Sequence, residues 1–395
     1  MIRGNAQPNA EQALPTVLIY RDQLLPYSET FIPAQGGCLS RYGGVYVGTS
    51  RLTDNLPTQK TIVLGEHAVP SRFWKGLYKF GGVIHPNWLD LLKRYRPMLV
   101  HAHFGSDGGL VVPLCQRLHI PLVVTFHGYD ATWETPGWTT VRSQGDFFRA
   151  LLLHKRDRAL AVAHQIIAVS EFIRDQLLSK GAPAHRISVN YIGIDRQRFC
   201  PRIDQVREPI VLFVGRLVEK KGGDYLVQAM AAVQRQLPMV QLVIIGDGPL
   251  RSHLQTLAEQ LAVRVQFLGK QSPDQVRQWM NRAQVFCGPS IVARSGDAEG
   301  FGMVFAEAQA MGLPVVSFAT GGIPEAVIHG QTGLLAPEKD TAQLAKNLIC
   351  LLEDAELRQR FAQAGQAHVA KKFDLKKNTC QLERVYDTVV EQYQR

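Results

Sequence analysis

The sequence lacks the markers of several common protein classes. Its six cysteines stand at least 30 residues apart, which excludes a CxxC pair and zinc-finger spacing and is typical of a reducing compartment. The longest segment without a charged residue, Ala308–Pro324, is interrupted by glycine and proline, so no segment predicts a membrane-spanning helix. Residues 4–12 are polar where a secretory signal would be apolar. These absences predict a cytoplasmic protein, with a peripheral position at the inner face of a membrane left open.

Acidic residues are scarce in the first half of the chain. Residues 1–200 contain 22 Lys and Arg against 14 Asp and Glu, whereas the remaining residues contain 22 against 20, within a formal charge of +10. A basic half predicts an anionic partner such as nucleic acid, a membrane or a phosphorylated acceptor. No nucleic-acid-binding module is recognisable, so nucleic acid is not an expected partner. Residues 56–87 mix basic and aromatic side chains, a composition that suits an anionic membrane surface and equally a ligand-facing loop or plain packing.

Short runs rich in valine and isoleucine recur with helical patterns between them, which predicts parallel strands joined by helical crossovers. In the first half these strands are Thr16–Tyr20, Met98–Ala102, Leu122–Phe126, Gln165–Val169 and Ile187–Asn190. In the second half they are Ile210–Val214, Gln241–Ile245, Val265–Leu268, Val285–Cys287 and Pro314–Phe318. With 395 residues, the pattern predicts an α/β protein with two doubly wound domains, at residues 1–203 and 204–375. Whether a final helix at about residues 376–395 packs back onto the first domain is left open.

The residues after each strand are the first candidates for a site, because ligands of open parallel sheets bind beyond the carboxyl ends of the strands. The strand at 210–214 is followed by Gly215-Arg216-Leu-Val-Glu-Lys-Lys221-Gly222-Gly223. Cations beside glycines at a helix N-terminus suit a phosphoryl group, since the backbone can approach closely and arginine can bind two oxygens. The run matches neither a P-loop nor GxGxxG. A solvated turn is the alternative interpretation.

Two glutamates bracket a second glycine-rich segment, Glu299-Gly-Phe-Gly-Met-Val-Phe-Ala-Glu307. Gly300 and Gly302 predict that Glu299 lies in a loop and that Glu307 lies in the following helix, whose first amide groups can bind an anion. Such an arrangement could hold a sugar at one end and a ribose at the other, with a diphosphate between them. Because the flanking residues are apolar, we favour a buried rim over a solvated helix face.

These motifs resemble the retaining nucleotide-sugar glycosyltransferases of family 4, also called group 1. The resemblance rests on Glu299-x7-Glu307, Gly215-Arg216…Lys221-Gly222, Gly246-Asp-Gly-Pro249 and Ala319-Thr-Gly-Gly-Ile-Pro-Glu325. In the first half, Ser28-Glu-Thr-Phe-Ile32, His101-Ala-His-Phe-Gly105 and Phe126-His-Gly-Tyr-Asp130 are similar to the branch that makes bacterial exopolysaccharides, colanic acid transferases included. The resemblance implies the GT-B fold, in which two Rossmann-like domains face a central cleft.

The resemblance also implies roles on the donor side. The residues implied in donor binding are Gly215, Arg216, Lys221, Leu268, Lys270, Phe301, Gly302, Met303 and Glu307. Among them, Arg216 and Lys221 would neutralise the diphosphate, and Glu307 would bind the ribose hydroxyls. The implied catalytic residues are Glu299 and His127, which would hold the transferred sugar from opposite sides of the cleft.

The implied acceptor side lies in the first domain. The residues implied there are Ser28, Glu29, Thr30, His103 and Asp130. Ser28–Thr30 replaces the Gly-Gly loop that many relatives carry, so its role departs from the family pattern. Asp130 could meet the acceptor or cap the following segment. His101 and His103 have a spacing that could bind a metal, but we favour a packed or hydrogen-bonded pair.

No Asp-x-Asp, the metal-binding motif of many other transferases, occurs in the chain. We therefore expect neither a metal nor another cofactor, with cations and a helix N-terminus stabilising the leaving group. The implied function is retaining transfer of a hexose from a UDP- or GDP-linked donor to a saccharide or lipid-linked saccharide acceptor, in polysaccharide or cell-envelope biosynthesis. The alternatives are a nucleotide-sugar epimerase, a phosphorylase and a non-catalytic binding subunit.

Overall fold

The computed structural model describes residues 14–26, 29–52, 60–134, 144–202 and 205–395, without the side chains of residues 144–146. The first half contains the strands β1 (Thr16–Tyr20), β2 (Gln23–Leu24), β3 (Gly43–Gly48), β4 (Ser50–Arg51), β5 (Thr61–Val63), β6 (Pro97–His103), β7 (Leu122–Phe126), β8 (Gln165–Ala168) and β9 (Ile187–Val189). Seven of these described strands form one parallel sheet in the order β5-β3-β1-β6-β7-β8-β9. The short strands β2 and β4 pair with each other.

Helices cover both faces of this sheet, as expected for a doubly wound fold. They are α1 (Phe31–Gly37), α2 (Leu64–His67), α3 (Ser71–Gly81), α4 (Pro86–Arg94), α5 (Gly105–Leu118), α6 (Tyr129–Thr132), α7 (Gln144–Val162) and α8 (Glu171–Ser179). Close packing of α5 on α7 depends on Gly109, where a Cβ would overlap the carbonyl oxygen of Lys155.

The second half repeats the architecture. Its strands are β10 (Glu208–Val214), β11 (Gln241–Ile245), β12 (Val265–Gly269), β13 (Ala283–Cys287), β14 (Val315–Phe318) and β15 (Gly333–Ala336), in the parallel order β12-β11-β10-β13-β14-β15. Its helices are α9 (Gly223–Gln236), α10 (Arg251–Gln260), α11 (Pro273–Arg282), α12 (Met303–Ala310), α13 (Ile323–Ala326), α14 (Thr341–Glu353), α15 (Ala355–Lys372) and α16 (Leu375–Gln394). Side-chain caps begin several of them, including the reciprocal Ser272 and Gln275 box of α11.

The ten predicted strands are confirmed, each within two residues of its predicted ends. The strands β3, β5 and β15 were not predicted, because the first has glycine at three of six positions, the second is three residues long and the third has no β-branched residue.

None of the helices in the described ranges combines the length and the apolar composition needed to cross a membrane.

The last helix, α16, returns to the first sheet. Its buried Glu383 accepts hydrogen bonds from the backbone amides of Ser40 and Arg41, both at 2.7 Å, and from the Ser40 hydroxyl at 2.9 Å. Its Tyr386 hydroxyl lies 2.6 Å from Nδ1 of His101 in β6. The final helix therefore belongs to the core of the first half. The predicted junction between residues 203 and 204 lies outside the described residues.

Candidate functional site

The loops that follow β10 and β11 pack directly on each other at the carboxyl edge of the second sheet. Gly246, with φ of 134°, lies so close to Gly215 that a Cβ would overlap the Gly215 carbonyl oxygen. Gly222, with φ of 65°, lies equally close to the carbonyl oxygen of Pro289. These contacts hold the turn between β10 and α9 against the loop that precedes α12, and so bring two lysines to two carboxylates.

The two ion pairs formed there define what we call the lysine wall: Lys220, Lys221, Asp297 and Glu299. The Lys220 Nζ atom lies 2.9 Å from Oδ1 of Asp297, and the Lys221 Nζ atom lies 2.5 Å from Oε2 of Glu299. The Glu299 side chain is 13% exposed. Burial by itself would raise the pKa of Glu299, but Lys221, Lys220 and Arg216 outweigh it and lower the pKa to about 2. Glu299 is therefore a carboxylate that accepts hydrogen bonds at neutral pH.

Glu307 has the opposite character. It lies half-buried in α12, and no hydrogen bond or ion pair joins its carboxyl group to another residue in the part of the chain that the structure describes. Burial raises the pKa of Glu307 to about 7, and the attraction of Arg198 only partly offsets this effect. The predicted loop position of Glu299 and helical position of Glu307 are both confirmed. The two carboxyl groups differ in pKa because cations beside Glu299 outweigh its burial, whereas burial dominates at Glu307.

The remaining predicted donor-side residues surround these carboxyl groups. Arg216 is exposed and is close enough to Glu299 to lower its pKa. The Phe301 side chain packs against Tyr191 and Phe373, with ring centroids 5.6 and 4.8 Å away, so its backbone rather than its ring is available to a ligand. Gly302, with φ of 81°, precedes the first residue of α12, the half-buried Met303.

Leu268 and Lys270 stand at the end of β12, on the same edge as the loop after β11. The amide of Gly246 donates to the carbonyl of Gly269 at 2.8 Å, which joins the two loops. Leu268 is half-buried and its carbonyl accepts from the Gln271 side chain at 2.9 Å, whereas Lys270 is exposed. Contact of these residues with a nucleobase stays a prediction.

Facing the lysine wall are three histidines, which we call the histidine wall: His101 and His103, which are buried, and His127, which is half-buried. The Nδ1 atom of His103 lies 3.1 Å from Nε2 of His127, so one of these two nitrogens carries a proton and donates a hydrogen bond, and the other accepts that bond. The His127 ring lies between Phe31 and Phe104, at centroid distances of 4.9 and 4.6 Å. Its Nδ1 atom is buried and has no hydrogen-bond partner among the described residues.

All three imidazoles are neutral at physiological pH. Burial lowers the pKa of His127 well below its ordinary range, and the nearby His101 and Arg21 lower it further. Burial likewise lowers the pKa of His103, and that of His101 to about 3. His101 is bonded on both nitrogens, to the Tyr386 hydroxyl at 2.6 Å and to Thr125 Oγ1 at 2.7 Å. The arrangement is the packed and hydrogen-bonded one favoured above, and His101 has no nitrogen left for a metal.

Asp130 shapes the loop that carries His127. Its carboxylate accepts hydrogen bonds from the backbone amides of Gly105 and Gly128 at 2.9 Å each and of His127 at 3.1 Å. Burial raises its pKa, and these three bonds oppose the rise. The Asp130 carboxylate does not cap the following segment, because its donors are the amides of residues that precede it and α6 begins without a side-chain cap. Contact of Asp130 with the acceptor stays a prediction.

Glu29 is also engaged within the first half. It forms a bidentate ion pair with Arg21, with N–O distances of 2.8 and 2.9 Å. Arg21 also donates a hydrogen bond to the Asp107 carboxylate at 2.7 Å. Thr30 is exposed at the start of α1. Ser28 lies outside the described residues. An acceptor-binding role for this loop stays a prediction.

The two walls meet through backbone contacts. A Cβ on Gly300 would overlap the His127 carbonyl oxygen, and the Ser170 hydroxyl donates to the Gly300 carbonyl at 2.6 Å. Glu325 of α13 accepts hydrogen bonds from the Glu171 and Phe172 amides at the N-terminus of α8, both at 2.8 Å.

The Glu325 carboxylate also accepts a hydrogen bond from the Tyr191 hydroxyl at 2.7 Å. Sequence analysis assigned no role to Glu325, although it ends one of the quoted motifs. Its position directly after Gly-Gly-Ile-Pro is the signal that could have drawn attention to it.

Two family models match the chain in succession. Residues 44–198 match the model described as Glycosyltransferase Family 4, and residues 197–368 match Glycosyl transferases group 1. The chain is 32% identical over 257 residues to AmsK of Erwinia amylovora, a glycosyltransferase of amylovoran biosynthesis. It is 30% identical over 266 residues to WcaL of Escherichia coli, named for colanic acid biosynthesis. These matches cover 63% and 64% of the chain and about three fifths of each relative, 60% and 61%.

A more extended similarity links the chain to an enzyme from Mycolicibacterium smegmatis. That protein is named a GDP-mannose-dependent alpha-(1-6)-phosphatidylinositol monomannoside mannosyltransferase, and the two are 28% identical over 374 residues, 87% of this chain and 92% of the relative.

Solved structures show the same architecture. Sucrose-phosphate synthase from Thermosynechococcus elongatus superposes with a TM-score of 0.75 at 22% identity, over 96% of this chain and all of that one. Anabaena HepE in complex with UDP and glucose superposes with a TM-score of 0.73 at 19% identity, over 95% of this chain and all of that one. With its two parallel sheets, the protein has the GT-B fold, and it belongs to the group 1 glycosyltransferases of family 4.

Proposed function

We propose that the protein is a retaining, metal-independent hexosyltransferase that uses a UDP- or GDP-linked sugar and a saccharide or lipid-linked saccharide acceptor in the biosynthesis of a cell-envelope polysaccharide or glycolipid. The observation that carries this proposal is the Lys221–Glu299 ion pair at the point where the lysine wall meets the loop of His127. This pair supports the proposal because a cation, which suits a diphosphate, lies 2.5 Å from a carboxylate, which suits sugar hydroxyls.

A bound diphosphate would compete with Glu299 for Lys221. The diphosphate of a nucleotide sugar carries two negative charges and a carboxylate carries one, so Lys221 would turn to the diphosphate, supported by Arg216. Glu299 would then have a free oxygen to accept hydrogen bonds from the donor sugar. Its pKa of about 2 makes it an acceptor and an electrostatic group, and we assign it no role as an acid.

The transfer itself breaks the bond between the anomeric carbon and the diphosphate oxygen. The acceptor hydroxyl oxygen forms the new bond on the same face of the sugar, and its proton passes to the departing diphosphate. Charge develops on the leaving oxygens, where the Lys221 ammonium and the Arg216 guanidinium stabilise it. Neutral His127 donates a hydrogen bond to the transferred sugar, or accepts one from it, through Nδ1. It adds no positive charge beside the sugar, which itself becomes cationic.

Glu307 is the proposed ribose ligand. It lies in the second turn of α12, after the loop of Glu299, and its carboxyl group is not engaged by the described residues around it. Two ribose hydroxyls would donate to its deprotonated form and lower its pKa. Similarity supports both nucleotides, since the mycobacterial relative is named for GDP-mannose and HepE was crystallised with UDP.

The decisive experiment measures nucleoside diphosphate release from UDP- and GDP-linked hexoses, with and without candidate lipid-linked saccharides and with EDTA present. We expect release that depends on the acceptor and persists in EDTA. Release of an altered sugar without an acceptor would identify an epimerase instead. Binding of a nucleotide without any turnover would identify a binding subunit, and loss of release in EDTA would contradict metal independence.

A further inference from the structure

A cavity of about 330 Å³ lies between α3, α5 and α7 of the first half, and the proposed reaction does not use it. Four cationic side chains line it: Lys79, Arg117, Lys155 and Arg158. The rest of its lining is apolar or neutral, and no acidic side chain belongs to it among the described residues. A cavity with several positive charges and no lining carboxylate favours an anion.

Backbone contacts build this cavity. The Lys155 Nζ atom donates to the carbonyl of Lys79 at the C-terminal end of α3, at 2.7 Å, and so joins α7 to α3. Gly82, in the left-handed conformation with φ of 67°, ends α3 directly against Pro113 of α5. The positions of the cations around the cavity are therefore set by three packed helices.

The charge in the cavity is only partly balanced from outside. The Lys79 Nζ atom lies 2.5 Å from Oδ2 of Asp22, which neutralises one of the four cations. Arg117 and Arg158 have no ion pair with a described residue, and both are exposed at the rim. Two arginines that project freely beside two lysines suit the several oxygens of a phosphate group.

An apolar stripe continues from the rim of the cavity. Phe73 and Phe80 are seven residues apart in α3, so they lie on one face of the helix, and they are 57% and 69% exposed. Phe80 also lines the cavity. Val69 and Val83, which flank the helix, are 86% and 45% exposed. A free phosphate ion would make no favourable contact with this apolar stripe. A phospholipid would, because its acyl chains lie next to its phosphate.

We propose that the cavity binds the phosphate of an anionic phospholipid while Phe73 and Phe80 enter the membrane interface. The combination of exposed aromatic side chains and a cationic recess is the chemistry of interfacial membrane binding. The site is separate from the cleft and does not depend on the proposed reaction. In this proposal, the protein contacts the membrane through α3, α5 and α7, and not through the basic surface of the first half as a whole.

Sedimentation of the full-length protein with vesicles tests this site. We expect binding to phosphatidylcholine vesicles that contain phosphatidylglycerol and little binding to pure phosphatidylcholine. The double variant R117E/R158E should weaken binding about tenfold or more, because each basic residue near a membrane surface contributes about fivefold. The double variant F73S/F80S should weaken it by a similar factor at the same charge. The control is R360E, which reverses an exposed arginine in α15 of the second half that has no ion pair among the described residues.

Several results would overturn the proposal. These are equal binding to both kinds of vesicle, a loss in R360E as large as in R117E/R158E, and full binding in F73S/F80S. Tight binding of soluble glycerol phosphate with no vesicle binding would assign the cavity to a free anion. Binding of a single-stranded RNA that R117E/R158E abolishes, again without vesicle binding, would assign it to nucleic acid. Circular dichroism and thermal unfolding of each variant show whether a loss reflects unfolding.

Discussion

The two walls of the cleft are built on similar parallel sheets, yet burial has opposite consequences in them. In the histidine wall, the ionisable groups are surrounded by aromatic rings and by each other, and burial drives His103 and His127 to the neutral form. In the lysine wall, burial acts on Glu299 in the same direction, but neighbouring cations reverse its effect and keep the carboxylate charged. Burial thus removes charge unless an opposite charge is buried with it.

This contrast suits the two parts of a nucleotide sugar. The charged wall matches the diphosphate, on which negative charge grows during transfer. The neutral wall matches the sugar, on which positive charge grows, because a protonated imidazole there would oppose it. Changing the charge on either wall should therefore have separable effects on turnover and on nucleotide affinity.

The largest effect is expected for Lys221→Ala. The variant leaves Glu299 with less compensating charge. It also removes the cation that would stabilise the leaving group, so kcat should fall about 100- to 1,000-fold. Donor KM should rise by a smaller factor, because most of the lost stabilisation belongs to the transition state. Steady-state release of nucleoside diphosphate measures both constants. Lys346→Ala, at an exposed position in α14, is the control. A rise in donor KM by as large a factor as the fall in kcat would contradict the assignment.

The next effect is expected for His127→Asn. The amide can still bond to His103, but the imidazole next to the sugar is lost, so kcat should fall about 100-fold. Nucleotide affinity should stay within about twofold, because in our proposal the nucleotide binds to the lysine wall. Turnover and calorimetric titration with the nucleoside diphosphate separate these outcomes, with the exposed His154→Asn as control. A large loss of nucleotide affinity would place His127 at the diphosphate instead.

A smaller effect is expected from pH. The pKa of Glu307, raised to about 7, leaves about a tenth of the carboxyl groups ionised at pH 6 and about nine tenths at pH 8. If the ionised form binds the ribose, nucleotide affinity should rise by up to about tenfold over this range, with release of a proton. Titrations in buffers of different ionisation enthalpy measure both quantities. Glu307→Gln should bind more weakly and without this pH dependence; an unchanged slope in the variant would assign the titration to another group.

The smallest effect is expected at the contact between the walls. Glu325→Ala leaves two amides at the N-terminus of α8 without their carboxylate, which should cost about 1–2 kcal/mol of unfolding free energy. The donor KM should rise about two- to fivefold, because the two walls are held together less firmly. Denaturant unfolding and kinetics are the measurements. Glu338→Ala is the control, since Glu338 caps the Val292 amide within the second half alone. An equal rise in KM there would show that Glu325 has no special role between the walls.

The sequence predicted the elements that depend on local patterns. The strands Thr16–Tyr20, Leu122–Phe126 and Gln241–Ile245 are present with their predicted ends, because continuous apolar runs of this length are buried in parallel sheets. Glycines at 300 and 302 likewise indicated that Glu299 precedes the helix of Glu307. Short or glycine-rich strands such as β3 and β5 escaped prediction, since their local preference is weak and the neighbouring strands decide their pairing.

The partners of the site residues were beyond the reach of sequence patterns. Lys221 was predicted for donor binding and Glu299 for catalysis, but nothing local indicates that they bind one another across 78 residues. Asp130 had two interpretations, and neither of them indicated that its carboxylate accepts hydrogen bonds from three backbone amides that precede it in the chain. Glu29 was assigned to the acceptor side, whereas its observed partner is Arg21.

By itself, the sequence determined the two-sheet architecture, the family and the identity of the charged and imidazole groups at the strand ends. Apolar periodicity, glycine positions and motif spacing are local properties of the chain, and they act before any distant contact forms. The tertiary structure decided the charge states and the pairing. Glu299 and Glu307 are the same amino acid eight residues apart, and their pKa values of about 2 and about 7 differ because the fold brings lysines from another loop to only one of them.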